Sequence, residues 1–534
     1  MRSSHPSPNL CNSGSVTGGV LRGEKSRFQL FGDTVNTAAR MESTGVKNRI
    51  QLSKETADLI IAGGKEHWIK PRANKVFAKG KGELQTYWFV QGTDSDVTES
   101  TDEADTSSND GDNVEAITSL TYSDNASRKC IERLILWNVE NLCLPLKKLI
   151  ASRQDQEPVS LEAWRRLEIK RIHPDNIVLD EVEEVITLPK NRVVDLGALM
   201  DSVVLDNAVV DQLTNYVAKI SSMYNPHSFH NFDHASHVTQ SVTKLLSRVV
   251  TSDQVCYESM SYTPKAAPDK LHDFTYGITS NPMIQFAVIL SALIHDVDHP
   301  GVPNAVLVKE GSDLAIAYKN KSVAEQNSVD LAWELLMEPQ YEDLRRCIYT
   351  TQEELESFRK LLVNTVLATD VMDKELGNLR KRRWDLAFRT NVSDLPPGEN
   401  ICMTNRKATI VIEYLIQASD VAHTMQHWQI YTHWNEKFFQ ECYKAYKDGR
   451  SDTDPTDGWY DGELGFFDYY VIPLARRLKE CGVFGVCSDE YLNYAISNRD
   501  EWSRRGQAIV ETYVNGLGSG RVLNLGSGHG NKDF

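Results

Sequence analysis

The 534-residue sequence has no run of 18 apolar residues, so it contains no hydropathy signal for a membrane-spanning helix. Its first 30 residues hold no apolar core of the kind a secretory leader carries. It has no Cys-x-x-Cys pair, and its nine cysteines are scattered and odd in number. That speaks against a disulfide framework and for reduced thiols in the cytoplasm. Positive charge is not in excess: 58 Lys and Arg stand against 74 Asp and Glu, a net charge of −16. This argues against a general nucleic-acid binder. Strand-like alternation is nearly absent after residue 195. What remains is ordinary for a globular protein: 41% hydrophobic residues and length for two or three domains.

The stretch Phe286–Pro300, FAVILSALIHDVDHP, organises the rest. Nine apolar or small residues suit a buried helix and run into His295, Asp296, Asp298 and His299. Four ionisable groups at the end of a buried element are costly unless something neutralises them. A divalent cation does so most simply, since His and Asp both ligate metals; a solvated turn after a core helix is the alternative. Seven of the 14 histidines fall between His227 and His299. His230 and His234 are four apart and share a face if a helix starts there. Asp420, in IEYLIQASDVAH, ends another apolar helix, where a buried carboxylate needs a partner.

In chain order, residues 1–13 are polar with two prolines and are expected to be disordered. Residues 14–92 read as a small α+β unit. It has strands at Val16–Leu21, Arg27–Phe31 and Thr86–Val90, a helix at Thr34–Glu42 with Asn36 and Arg40 on one face, and a helix at Ser53–Ala62 capped by Ser53. Residues 93–127 carry ten acidic residues and no Lys or Arg, and are expected to be a disordered acidic linker. Residues 128–194 are expected to be a helical connector. Its apolar stripe of Ile131, Leu134, Ile135, Val139, Leu142, Leu146 and Leu149 would pack onto the next domain or, in a homodimer, between subunits. Residues 195–515 read as an all-α domain, with helices expected at 207–223, 235–250, 282–295, 323–337, 352–371, 408–445, 465–480 and 489–514. Residues 516–534, with repeated Gly-Ser, are expected to be a flexible tail.

Two resemblances follow. FGDTVNTAARMESTG, Phe31–Gly45, with SKETADLI and KGKGELQTYWF after it, resembles the C-terminal part of class III nucleotidyl cyclases. The resemblance implies that Asn36 orients a ribose and Arg40 stabilises triphosphate charge through its bidentate fork. Gln29 falls where that family reads the purine. The half of such a domain that carries two metal-holding aspartates would precede Gly14, where 13 unrelated residues stand. The segment is therefore expected to be a partial cyclase domain, inactive by itself. A longer product carrying a membrane segment and the missing half would make this chain the cytosolic part of a membrane protein.

FHNFDHASHV (229–238), HDVDHPG (295–301), LATD (367–370), ASDVAH (418–423) and GFFDYYVIPLA (465–475) resemble, in order, the class I cyclic nucleotide phosphodiesterase catalytic domain. The implied fold class is multidomain, an all-α phosphodiesterase catalytic domain preceded by a partial α+β nucleotidyl cyclase domain. The resemblance implies that His234, His295, Asp296 and Asp420 hold a tight metal, usually Zn²⁺. Asp296 would bridge to a second, usually Mg²⁺ or Mn²⁺, held largely through waters. His299, Glu325 and Thr369 would surround those waters, and His230 would be the general acid. Two metals sharing one water lower its pKa, and a histidine can protonate the leaving O3′. The substrate would be a 3′,5′-cyclic nucleotide and the product a nucleoside 5′-monophosphate.

The chain departs from the family where a Gln usually reads the purine: Glu463 stands there, with Phe466 still placed to stack on the base. An ionised Glu only accepts hydrogen bonds. It matches guanine's N1–H and N2–H₂, whereas adenine pairs a donor with an acceptor, so cyclic GMP is slightly favoured over cyclic AMP. His423, Thr424 and Phe229 also depart from the usual residues, at the pocket wall. Another HD-type metal phosphohydrolase and a non-catalytic regulatory module are the alternative readings.

Overall fold

The computed structural model describes residues 9–11, 17–21, 27–31, 50–62, 65–72, 76–78, 82–89, 114–153, 157, 159–169, 177–188, 203–249, 275–279, 281–389, 400–484 and 489–518. The chain divides into two compact units, Met1–Asp110 and Gly111–Phe534.

In the first unit β1 (Asn9–Cys11), β4 (Ile50–Leu52), β8 (Tyr87–Phe89) and β5 (Ile69–Pro71) form a sheet in the order β1-β4-β8-β5. β1 runs parallel to β4, and β8 is antiparallel to both its neighbours. β2 (Thr17–Leu21) and β3 (Arg27–Phe31) make an antiparallel pair, as do β6 (Val76–Ala78) and β7 (Gly82–Leu84). β1 corrects the expectation of disorder over residues 1–13: the backbone there is drawn in by pairing with β4. Helix α1 (Lys54–Ala62) starts where Ser53 Oγ accepts from the Thr56 N–H at 3.2 Å. The expected helix at Thr34–Glu42, with Asn36 and Arg40, lies outside the described residues.

The second unit is helical. Its principal helices are α2 (Val114–Ala151), α3 (Asn207–Ser222), α4 (Phe232–Arg248), α5 (Pro282–Ile294), α6 (Val323–Leu336), α7 (Gln352–Leu367), α8 (Asn400–Asp420), α9 (Trp428–Lys447), α10 (Trp459–Phe466), α11 (Ile472–Glu480) and α12 (Asp489–Gly518). At the centre lies α5. Asn281 caps it by accepting from the N–H groups of Met283 and Ile284, and Pro282 fits the first turn, where no donor is needed. Twelve of its 13 residues are buried, packed by α2, α4 and α7. Each large apolar side chain so buried stabilises by roughly 1.5–3 kcal/mol. Among the described residues no helix is long and apolar enough to cross a membrane.

Four expectations are corrected. First, α2 begins at Val114, inside the stretch expected to be a disordered linker. No Gly or Pro interrupts residues 114–144, so a helix nucleated by the packed C-terminal half propagates backward at little cost per residue. Second, the described part of residues 128–194 does more than connect: its apolar stripe packs onto the next domain, one of the two placements expected for it, and joins the core. Val139, Leu142, Leu146, Leu149 and Trp164 are buried in the same cluster as α5, while Ile131 stays exposed. Third, the helix expected over 408–445 is two helices, broken at Val421–His427. The Asn498 side chain donates to the Thr424 and Gln426 carbonyls that the break frees. Fourth, the expected helix at 465–480 opens into a wide turn at Phe467–Val471, where Pro473 cannot donate back along the helix.

Candidate active site

Asn231 supplies the reason for a His-Asn-x-x-His spacing. Its side chain accepts from the His234 N–H at 3.1 Å and so caps α4. The cap fixes His234 in the first turn with its ring fully buried. His295 follows the last residue of α5. Its Nδ1 donates to the Ala292 carbonyl at 3.0 Å, which leaves Nε2 to face inward. Asp420 ends α8, where the helix dipole disfavours a carboxylate and a nearby positive group is needed.

These elements converge. His234 Nε2 lies 3.1 Å from Asp420 Oδ1 and 3.6 Å from Asp296 Oδ2; His295 Nε2 lies 3.1 Å from Asp296 Oδ2 and 3.5 Å from Asp420 Oδ1. One ligand atom each from His234, His295 and Asp420 falls within 4.8 Å of the others. His295 Nε2 is buried and hydrogen-bonded to neither carboxylate despite their closeness. His234 Nε2 does hydrogen-bond Asp420 Oδ1, but His295 Nε2 is left over, and the four atoms crowd round one shared point. Two imidazole nitrogens with two carboxylate oxygens are a donor set that suits Zn²⁺ and its neighbours in the first transition row. The residues present therefore fit a divalent cation.

Asp298 does not join them. It has a left-handed φ of 58° and accepts from the side chains of Asn225 at 3.0 Å and Asn327 at 3.2 Å. Ser328 Oγ donates to the Val297 carbonyl at 2.8 Å. Asp298 thus ties the His295–Gly301 turn to α6 and to the loop after α3, and serves as a strut.

His230 sits just before α4. Its Nδ1 lies 2.5 Å from Glu441 Oε1, and Glu441 Oε2 accepts the backbone N–H groups of Phe229 at 2.7 Å and His230 at 3.0 Å. Burial works to keep His230 neutral, but the Glu441 carboxylate outweighs it and raises the imidazole above its usual range. Burial likewise opposes ionisation of Glu441, and His230 with those N–H groups overcomes it, holding the carboxyl down at about 2. His299 stacks on His230 with ring centroids 3.8 Å apart. Burial, then the neighbouring His230, push His299 down to about 3. Glu325 accepts from Asn304 Nδ2 at 2.8 Å, and burial with the nearby Asp370 raises it to about 8. Thr369 Oγ1 donates to the Val366 carbonyl.

His230, Asp296, His299, Glu325, Thr369, Asp420, Glu463 and Phe466 all line one cavity of about 650 Å³. At its far wall Glu463, 9% exposed, accepts from the Tyr431 hydroxyl at 2.8 Å and from the Asn435 side chain. Asn435 is oriented by Trp459, whose Nε1 donates to its Oδ1 at 3.1 Å. Burial raises Glu463 to about 7 in spite of these donors. Phe466 packs beside Tyr470, with ring centroids 5.3 Å apart.

Residues 229–483 match the family described as 3′5′-cyclic nucleotide phosphodiesterase. The site described above lies within this matched segment. Residues 11–91 match the adenylate and guanylate cyclase catalytic domain. A Caenorhabditis elegans protein named "Probable 3′,5′-cyclic-AMP phosphodiesterase pde-4" is 26% identical over 271 residues, 49% of this chain and 35% of that one. A Drosophila melanogaster 3′,5′-cyclic-AMP phosphodiesterase, isoform F, is 28% identical over 273 residues, 49% of this chain and 36% of that one. The chain thus spans about a third of the length of these curated relatives. The phosphodiesterase domain of a rhodopsin phosphodiesterase from the choanoflagellate Salpingoeca rosetta, a solved structure, is 21% identical. That comparison covers 58% of this chain and 86% of the other, with a TM-score of 0.43.

Sequence reasoning missed three residues of the phosphodiesterase unit: Glu441, Tyr431 and Asn435. Glu441 did leave a signal. On α9 it shares a face with Trp434, Phe438 and Ala445, a lone acid on an apolar stripe.

Proposed function

We propose that the helical unit hydrolyses 3′,5′-cyclic nucleotides to nucleoside 5′-monophosphates, with cyclic GMP slightly favoured over cyclic AMP. The observation that carries this reading is the His230–Glu441 pair. It opens into the same cavity as Asp296 and Asp420, against which His234 and His295 lie, so a proton donor and a cation site border one space of nucleotide size. His234, His295, Asp296 and Asp420 would hold one cation, Zn²⁺ by donor type, and Asp296 would share a second, Mg²⁺ or Mn²⁺. Such ions supply Lewis acidity, lowering the pKa of water and neutralising phosphate charge.

The protein's own groups do the remainder. With Nδ1 bonded to Glu441, the other ring nitrogen of His230, Nε2, is free to hold a proton for the substrate. As water oxygen bonds to phosphorus, the P–O3′ bond breaks and Nε2–H passes its proton to O3′. The proton lost by the water leaves to solvent. Glu441 stabilises the imidazolium before transfer and sets its orientation. Glu325, Thr369 and His299 would position water around the second cation. Phe466 would stack on the base, and Glu463 would accept from its edge. The lean to cyclic GMP rests on the donor pattern of guanine, although the relatives named above are cyclic-AMP phosphodiesterases.

The test is hydrolysis of both cyclic nucleotides by the full chain, stripped by chelator and reloaded with Zn²⁺ and Mg²⁺ or Mn²⁺. Activity that returns with metal and falls at least about 10³-fold in Asp296→Ala is expected. No hydrolysis of either nucleotide by the reloaded parent would overturn the proposal.

A further inference from the structure

The base-reading wall holds a carboxyl in an unusual setting. Glu463 is a side chain of α10, and it is faced by Tyr431, Asn435 and Cys442 of α9 and by Tyr513 of α12. Two of these neighbours, the Tyr431 hydroxyl and the Asn435 amide, donate to it, and Trp459 prevents Asn435 from turning its oxygen toward the carboxyl. The protein therefore uses part of the carboxyl's accepting capacity and leaves the rest to the cavity that Phe466 also lines. A Gln in this position can present an acceptor and a donor together. A carboxyl presents a donor only when protonated.

We propose that Glu463 is an ionisable base reader whose charge state selects the substrate: ionised, it takes guanine through N1–H and N2–H₂; protonated, it takes adenine by donating to N1 while accepting from N6–H₂. This rests on the phosphodiesterase reading of the site. Cys442, pushed up to about 12, and Tyr431 and Tyr513, both raised by burial, remain neutral at physiological pH, while Glu441, held at about 2, remains charged. Among the described groups around Glu463, none but Glu463 itself, at about 7, changes charge across neutrality. Tyr431 and Asn435 act as positioning residues, favouring the charged form that burial disfavours.

The experiment offers cyclic GMP and cyclic AMP as competing substrates to the metal-loaded full chain between about pH 6 and about pH 8. The readout is the ratio of their kcat/KM values. Effects of pH on His230 or on metal binding act on both substrates and cancel in the ratio. If each charge state takes one base, the ratio follows the ionised-to-protonated population of Glu463 and rises in favour of cyclic GMP by about tenfold per pH unit. Glu463→Gln should make the ratio independent of pH. Tyr431→Phe, which removes a donor to the charged form, should move the crossover to higher pH. A flat ratio in the parent, with both nucleotides hydrolysed, overturns this proposal and leaves the phosphodiesterase reading intact. Hydrolysis of neither nucleotide overturns both.

Discussion

Replacing Glu441 with Gln tests the least expected part of the site. Glu441 raises His230 against the pull of burial, and its Oε2 ties down two backbone N–H groups. Without its charge the largest force opposing desolvation is gone, and His230 falls, held up only by the Asp296 and Asp420 carboxylates. The sign follows. A general acid works only while protonated, so activity falls as pH rises through the pKa of His230. In the variant that falling limb moves to lower pH, and at neutrality a larger share of the imidazole is without its proton. General acid–base catalysis contributes about 10²–10⁴-fold, so kcat should drop at least about 10²-fold at neutral pH. Glu441 has a stability role as well. Holding its carboxyl at about 2, against the usual 4.5, is worth about 3 kcal/mol. That contribution is full above the unfolded carboxyl's pKa and is lost as pH falls towards about 2. The variant should therefore also be less stable to urea at neutral pH. Rates are read on folded, metal-replete protein, with metal content measured beside them. A phosphodiester with a nitrophenolate leaving group, which needs no proton, should lose far less. If kcat stays within about threefold and the falling limb does not move, the general-acid assignment is refuted. Equal losses on both substrates would leave Glu441 only a structural role.

Two further outcomes follow from the geometry. Gly301 has φ +69°, and a Cβ there would meet His227 Cε1 at 2.8 Å; Gly301→Ala should destabilise by about 1–3 kcal/mol in urea melts and lower metal affinity by displacing the His295 turn. Arg383 and Glu413 form a buried ion pair, with Arg383 also donating to the Glu183 carbonyl; Glu413→Ala strands the guanidinium and should cost about 3–5 kcal/mol, while Arg383→Met together with Glu413→Leu should recover most of it.

The residues proposed to bind and react stand out in the sequence because their chemistry forces a local pattern. Asn231 must stand three residues before His234 to cap α4, and the apolar run into His295 announces its burial. The helix ends were legible to within a few residues where a cap or a Pro marks them, as at Asn281-Pro282 and Asp489. Other features were written in no local pattern. The break after Asp420 depends on Asn498, 74 residues away from the Thr424 carbonyl it satisfies. The strand at Asn9–Cys11 exists through pairing with β4. Glu441 is 211 residues from His230, so its role is set by tertiary packing. Asp298 shows the opposite case. Its sequence neighbourhood is that of a ligand, yet its left-handed backbone turns the side chain to two asparagines.

The placement of α9 ties these points together. Tyr431, Asn435, Phe438 and Glu441 recur at helical spacing along one side of it. At 1.5 Å per residue, Tyr431 and Glu441 stand about 15 Å apart along the axis, so the helix runs the length of the cavity. Its first turns supply Tyr431 and Asn435, which donate to Glu463 on α10, and its later turns carry Glu441, the partner of His230. In the proposed mechanism base recognition and leaving-group protonation would therefore share one support, anchored by the burial of Tyr431, Phe439 and Ala445. A helix that tilts to seat a base also shifts Glu441 against His230. Selectivity in this arrangement should then show in kcat as well as in KM, because the wrong base misplaces the group that orients the acid. Competing-substrate rates would miss that division. Single-turnover kinetics with each nucleotide would expose it, and a preference confined wholly to KM would show that the two ends of α9 work independently.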